Sequence, residues 1–127
     1  MTDRFLTAPG LPRPGGAYSH LARAAGLVFT AGFGPHDPET GEVPEGVSAQ
    51  TEATLANVAS ALSAVGLDLS HVVKATVHLA ELDRDFRGFD EVYERVMPAP
   101  YPVRTTVGSR LLGILVEIDV VAVADEK

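Results

Sequence analysis

The chain has 127 residues, 46% hydrophobic and 21% charged, with a formal net charge of −7 and no cysteine. That length and apolar content suit one folded domain over residues 1–127 rather than a disordered chain. The acidic balance argues against nucleic-acid backbones and anionic membranes as partners, and the missing thiols exclude disulfides, a cysteine nucleophile and zinc–thiolate sites.

The opening Met-Thr-Asp-Arg-Phe-Leu has no basic segment leading into a long apolar core, and no apolar run can span a bilayer, so a cytoplasmic protein is expected. Residues 1–16, rich in Pro and Gly, predict a loop with at most one short strand near Arg4–Thr7. Tyr18–Ala24 and Leu27–Phe33 read as two strands around an Ala25-Gly26 turn. The segment from His36 to Gly41 has turn chemistry, and turn formation explains its acidic residues without a metal. Ser48–Val65 is the clearest helix. Leu55, Val58, Leu62 and Val65 lie on one stripe, Ser48 is the expected N-cap and Gly66 the expected C′ residue.

Val72–Ala80 predicts a strand with Val73, Ala75, Val77 and Leu79 on one face and Lys74, Thr76 and His78 on the other. A second helix is expected from Asp83 or Asp85 to Val96, with Phe86, Phe89, Tyr93 and Val96 in register and Glu91–Arg95 as an i,i+4 pair. Pro98 and Pro100 prevent its continuation. Two last strands, 102–107 and 114–123, flank a short turn and are expected to be neighbours. The sum is a single α+β domain, a sheet of about six strands with two helices on one face. The last strand is apolar on both faces, so the uncovered face calls for a second copy of the chain.

Walker, dinucleotide, nucleophile-elbow and His-Glu-x-x-His motifs are missing. Ser19 and His20 are adjacent and point to opposite sides of a strand, which disfavours a dyad between them. The four histidines show no metal spacing and read as surface or interface residues. Arg104 and Glu117 stand out as charges within apolar strands. Arg104 shares its face with Thr106. A guanidinium grips a carboxylate bidentately, and a carboxylate such as Glu117 orients water and moves protons. The alternative is an ion pair at a subunit interface.

The chain resembles the RidA (YjgF-type) reactive-intermediate deaminases. The likeness runs through Gly-Ala-Tyr-Ser (16–19), Leu-Val-Phe-Thr-Ala-Gly (27–32), Asp-Pro-Glu-Thr-Gly-Glu (37–42), Gln50 with Asn57, and Val-Val-Lys-Ala-Thr-Val (72–77). It continues through Phe86 to Tyr93, Pro-Val-Arg-Thr-Thr-Val (102–107) and Val-Glu-Ile-Asp (116–119). The resemblance implies a chorismate-mutase-like fold, a homotrimer with sites between subunits, and hydrolysis of 2-imino acids to 2-oxo acids and ammonia without metal or organic cofactor. By the same resemblance Arg104 holds the substrate carboxylate, Glu117 positions water, Tyr18 is the aromatic residue of the cleft and Gly32 lets backbone approach the ligand. The chain departs from the family pattern at Asp90 (usually Asn), Thr106 (usually Cys) and Gly32-Phe33-Gly34-Pro35 (usually Gly-Gln-Ile-Pro), and in a shorter Arg110–Gly113 turn. Phe33, Asp90 and Thr106 are therefore expected to bind substrate, with Phe33 and Asp90 setting which imine fits. Hydrolysis of another catabolic imine and non-catalytic binding of 2-oxo acids are the other readings.

Overall fold

A computed structural model describes residues 4–124, so the first three residues of the predicted loop and the chain's last three lie outside it. The strands are β1 (Phe5–Leu6), β2 (Leu21–Ala24), β3 (Leu27–Thr30), β4 (Val72–Leu79), β5 (Val103–Gly108) and β6 (Val116–Val123). The helices are α1 (Val47–Ser63) and α2 (Leu82–Val96). Among the described residues no helix is long and apolar enough to cross a membrane.

All six strands form one mixed sheet in the order β1-β2-β3-β6-β4-β5. Ala75, Val77 and Leu79 of β4 and Val116, Ile118, Val120 and Ala122 of β6 point to one face. There they share a core with Leu55, Val58 and Leu62 of α1 and Phe89 and Tyr93 of α2. Both helices thus cover the same face, as expected. The opposite face carries Phe29, Val103 and Val107, all exposed, with Lys74 beside Val103.

The expected pairing of the last two strands does not occur. β4 lies between them, parallel to β5 and antiparallel to β6. Residues 109–115 are not a hairpin turn but a crossing over the end of β4. Ser109 N–H donates to Leu79 O at its start, and Ala80 N–H donates to Leu115 O at its end. β4 pairs with six residues of β5 on one side and seven of β6 on the other, which makes it the common partner of both.

Smaller expectations also change. A register shift between Val72 and Lys74 buries Val72 and leaves Val73 exposed, so Val73 is not a core residue. The N-cap of α1 is Gly46, not Ser48. The predicted C′ residue holds: Gly66 adopts φ 78° and its N–H donates to Ser63 O, while Leu67 N–H reaches Leu62 O. Arg95 turns from Glu91 to Glu52 of α1, 2.9 Å away. Strand β2 begins at Leu21, leaving Tyr18–His20 in the loop before it, and Phe33 joins the sheet only through an isolated bridge to Ile118.

Candidate functional site

The alternating pleat divides the candidate residues between two faces of the sheet. Arg104 and Thr106 oppose Ala75 and Val77 of β4, which puts them on the helix-covered face. Glu117 opposes His78 and Asp119 opposes Thr76, which puts them on the open face. Arg104 and Glu117 therefore do not meet within one chain, and no ion pair joins them.

On the helix-covered face, Arg104 lies at the sheet edge beside α2. Its Cζ sits 4.7 Å from the ring centroid of Tyr93, 5.2 Å from Phe89 and 5.7 Å from Phe86. Those three rings come from the predicted α2 stripe, and cation–π contact fixes the guanidinium over them. Nη1 donates to Oδ1 of Asp90 at 2.8 Å. Burial raises the Tyr93 phenol above its ordinary pKa, while the Arg104 charge pulls it down. A pocket of about 380 Å³ opens here, with Asp90, Tyr93, Tyr101 and Arg104 among its walls.

On the open face a larger cleft of about 800 Å³ lies between the loop around residues 12–18, the segment 32–36 and the crossing 109–114. Glu117, Tyr18, Gly32 and His78 line it. Gly32 lets the Glu117 carboxylate lie against the backbone: a Cβ there would meet the carboxylate and displace it. Tyr18 is half exposed at the mouth and its hydroxyl accepts the Gly15 N–H at 3.0 Å. Phe33 reaches the cleft wall with a buried ring tilted against His20, centroids 5.4 Å apart.

α1 anchors the frame around Glu117. Gln50 accepts the Leu115 N–H at 2.8 Å and donates to Pro44 O at 2.9 Å, fixing the start of β6. Asn57 donates to Gly34 O and His36 O at 3.0 and 2.9 Å, pinning the opposite wall. Asp37 closes the 37–42 turn by accepting the Glu39 and Thr40 N–H groups, which is the expected turn chemistry.

One histidine differs from the surface or interface positions read from sequence. His20 is buried; Nδ1 accepts the Ala8 N–H and Nε2 donates to Pro12 O, tying the N-terminal loop to the sheet. His78 Nδ1 lies 2.7 Å from Ser109 Oγ beside Glu117. Thirty-one positions separate that pair, so no local motif announces it; only the β4–β5 register brings the two together. Burial raises the Asp119 carboxyl above its usual range, with His78 and Lys74 pulling the other way.

The sheet order and helix placement are those of the chorismate-mutase-like fold. The chain belongs to the RidA (YjgF/RutC) family: the family model described as Endoribonuclease L-PSP matches residues 10–124. Chloroplastic Reactive Intermediate Deaminase A of Arabidopsis thaliana is 41% identical over 110 residues, 86% of this chain; the match spans 58% of that longer protein. The 2-iminobutanoate/2-iminopropanoate deaminase of Capra hircus is 32% identical over 126 residues, covering 97% of this chain and 91% of that one. Among solved structures, E. coli TdcF with bound serine superposes with a TM-score of 0.89 at 31% identity, over 97% of this chain and all of that one. The relatives thus include reactive-intermediate deaminases.

Proposed function

We propose that this protein hydrolyses small 2-imino acids to 2-oxo acids and ammonia, at sites that take Arg104 from one copy of the chain and Glu117 from another. The observation that carries this reading is the placement of the two charged residues on opposite sheet faces, each with its own cavity. One chain holds two half-sites; a ring of copies, such as a trimer, joins them. The open face, with Phe29, Val103 and Val107 exposed, supplies the apolar surface for that contact. The deaminases among the relatives support the reaction class.

In this scheme Arg104 binds the substrate carboxylate, which fixes the neighbouring C=N carbon. Thr106, on the same face, adds a hydroxyl. Glu117 takes a proton from a water whose oxygen attacks that carbon, and the C=N electron pair moves to nitrogen. Glu117 then returns the proton to the nitrogen. The hydroxyl proton then moves through Glu117 to the nitrogen, the C–N bond breaks, ammonia leaves, and the oxygen becomes the carbonyl of the 2-oxo acid. Tyr18 and Phe33 bound the space beside the reacting carbon, and Gly32 keeps backbone close to it. The net charge of −7 argues against RNA, a polyanion, as substrate.

The test generates 2-iminopropanoate from alanine with an amino-acid oxidase and follows its decay. Wild-type protein should accelerate the decay, and Arg104→Ala should lose on the order of 100-fold or more. If wild type matches buffer while 2-oxobutanoate still binds saturably, the protein is a binder and the hydrolytic reading fails.

Gly32→Ala gives a separate check on Glu117. The added methyl meets the carboxylate. Turnover should fall about 100-fold through that displacement, with thermal stability nearly unchanged. Full activity in this variant would show that the position of Glu117 is immaterial.

A further inference from the structure

The pocket around Arg104 contains a group that a simple anion site does not need. Asp90 already occupies one nitrogen of the guanidinium at 2.8 Å, so the pair carries no net charge. Glu94 lines the same pocket and Arg104 is its one cation. Tyr93 lines it too, with 3% of its surface exposed, and its hydroxyl has no hydrogen-bond partner among the described residues. A buried hydroxyl left unpaired at a cavity wall calls for a ligand or a water to complete it. The rings beneath Arg104 keep water from one side of the guanidinium, which strengthens every charge interaction there.

A monoanion entering this pocket gains from Arg104 and is repelled by Asp90. A zwitterion whose protonated nitrogen and carboxylate are borne by the same carbon satisfies both. Its carboxylate takes the guanidinium nitrogens that Asp90 leaves free, with the Tyr93 hydroxyl as a further donor. Its N–H groups donate to the Asp90 carboxylate. A 2-imino acid protonated on nitrogen has this charge pair, and its 2-oxo acid product has only the carboxylate.

We infer that Asp90 is a specificity residue that reads the protonated nitrogen beside the substrate carboxylate, so the pocket favours zwitterionic 2-imino and 2-amino acids over 2-oxo acids. The inference rests on Arg104 being the carboxylate anchor under the proposed function. It gives the departure from Asn at this position a chemical purpose: product leaves because its positive charge has been removed. An Asp90 that merely oriented Arg104 would act on all carboxylate ligands alike.

Calorimetric titration of the assembled protein with 2-aminobutanoate, a stable zwitterionic probe, and with 2-oxobutanoate tests this. Wild type should bind the amino acid about tenfold more tightly, the scale of one charge contact at a partly buried site. Asp90→Asn should tighten 2-oxobutanoate and weaken 2-aminobutanoate, each by about tenfold. Arg104→Ala should lose both. A wild-type preference for the oxo acid, or an Asp90→Asn variant that moves both ligands in the same direction or neither, overturns the role of Asp90. If Arg104→Ala keeps both ligands, the anchor itself fails, and the proposed function with it.

Discussion

Co-expression of two inactive variants, Arg104→Ala and Glu117→Gln, should yield mixed assemblies with roughly a quarter of wild-type imine hydrolysis. The value follows from the division of the site. Each variant alone lacks one half at every site. In a random mixture, one neighbouring pair in four brings an intact Arg104 from the Glu117→Gln chain against an intact Glu117 from the Arg104→Ala chain. The unfractionated mixture of differently tagged chains, assayed with 2-iminopropanoate, provides the measurement; selection for both tags removes the single-variant assemblies and should raise the value to about a third for a trimer. No recovery in a verified mixed assembly would mean that one chain supplies both residues. The opposite orientation of their side chains across the sheet argues against that outcome.

Phe89→Ala is expected to cost about 3–5 kcal/mol of folding stability. Phe89 is fully buried, sits 5.4 Å from Tyr93 and 6.4 Å from Phe86 between ring centroids, and joins α2 to the sheet. Removing the ring leaves a cavity that its neighbours cannot fill without shifting α2. Urea unfolding reads the effect as a lower midpoint with an unchanged slope. Phe89→Leu, which fills more of the space, should lose well under half as much. A loss below about 1 kcal/mol for the alanine variant would show that the site collapses freely. The same substitution removes one ring beneath Arg104, so ligand affinity should fall even in the variant population that remains folded.

The helices were legible because their signals are local. The step from Phe86 through Phe89 to Tyr93 places rings on one side of α2, and Gly66 stops α1 through its positive φ. The pleat made the shared face of Arg104 and Thr106 readable, since alternation along a strand is geometric. Strand order was not readable in the same way. Sequential strands usually pair, and nothing in residues 109–113 shows that the chain will step over β4. That crossing also hid the contact of His78 with Ser109. Arg104 and Glu117 stood out because charges are rare in such strands, but their separation depends on long-range register. The Val73 bulge and the cap at Gly46 escaped notice because backbone geometry, not side-chain pattern, sets them. His20 was misread because its partners are backbone groups of Ala8 and Pro12, which no residue-type pattern encodes.

Within each chain β6 is paired along both edges, to β3 and β4, whereas β5 is paired along one. The strands that carry Glu117 and Arg104 consequently differ in stiffness. Backbone amides of β6 open only with the sheet itself, while β5 can fray from its free side at lower cost. Glu117, held further by Gln50 at the start of its strand, is the fixed reference of the pair. Under the proposed function, Arg104, on the outermost strand, is the member that would give way to carboxylates of different size.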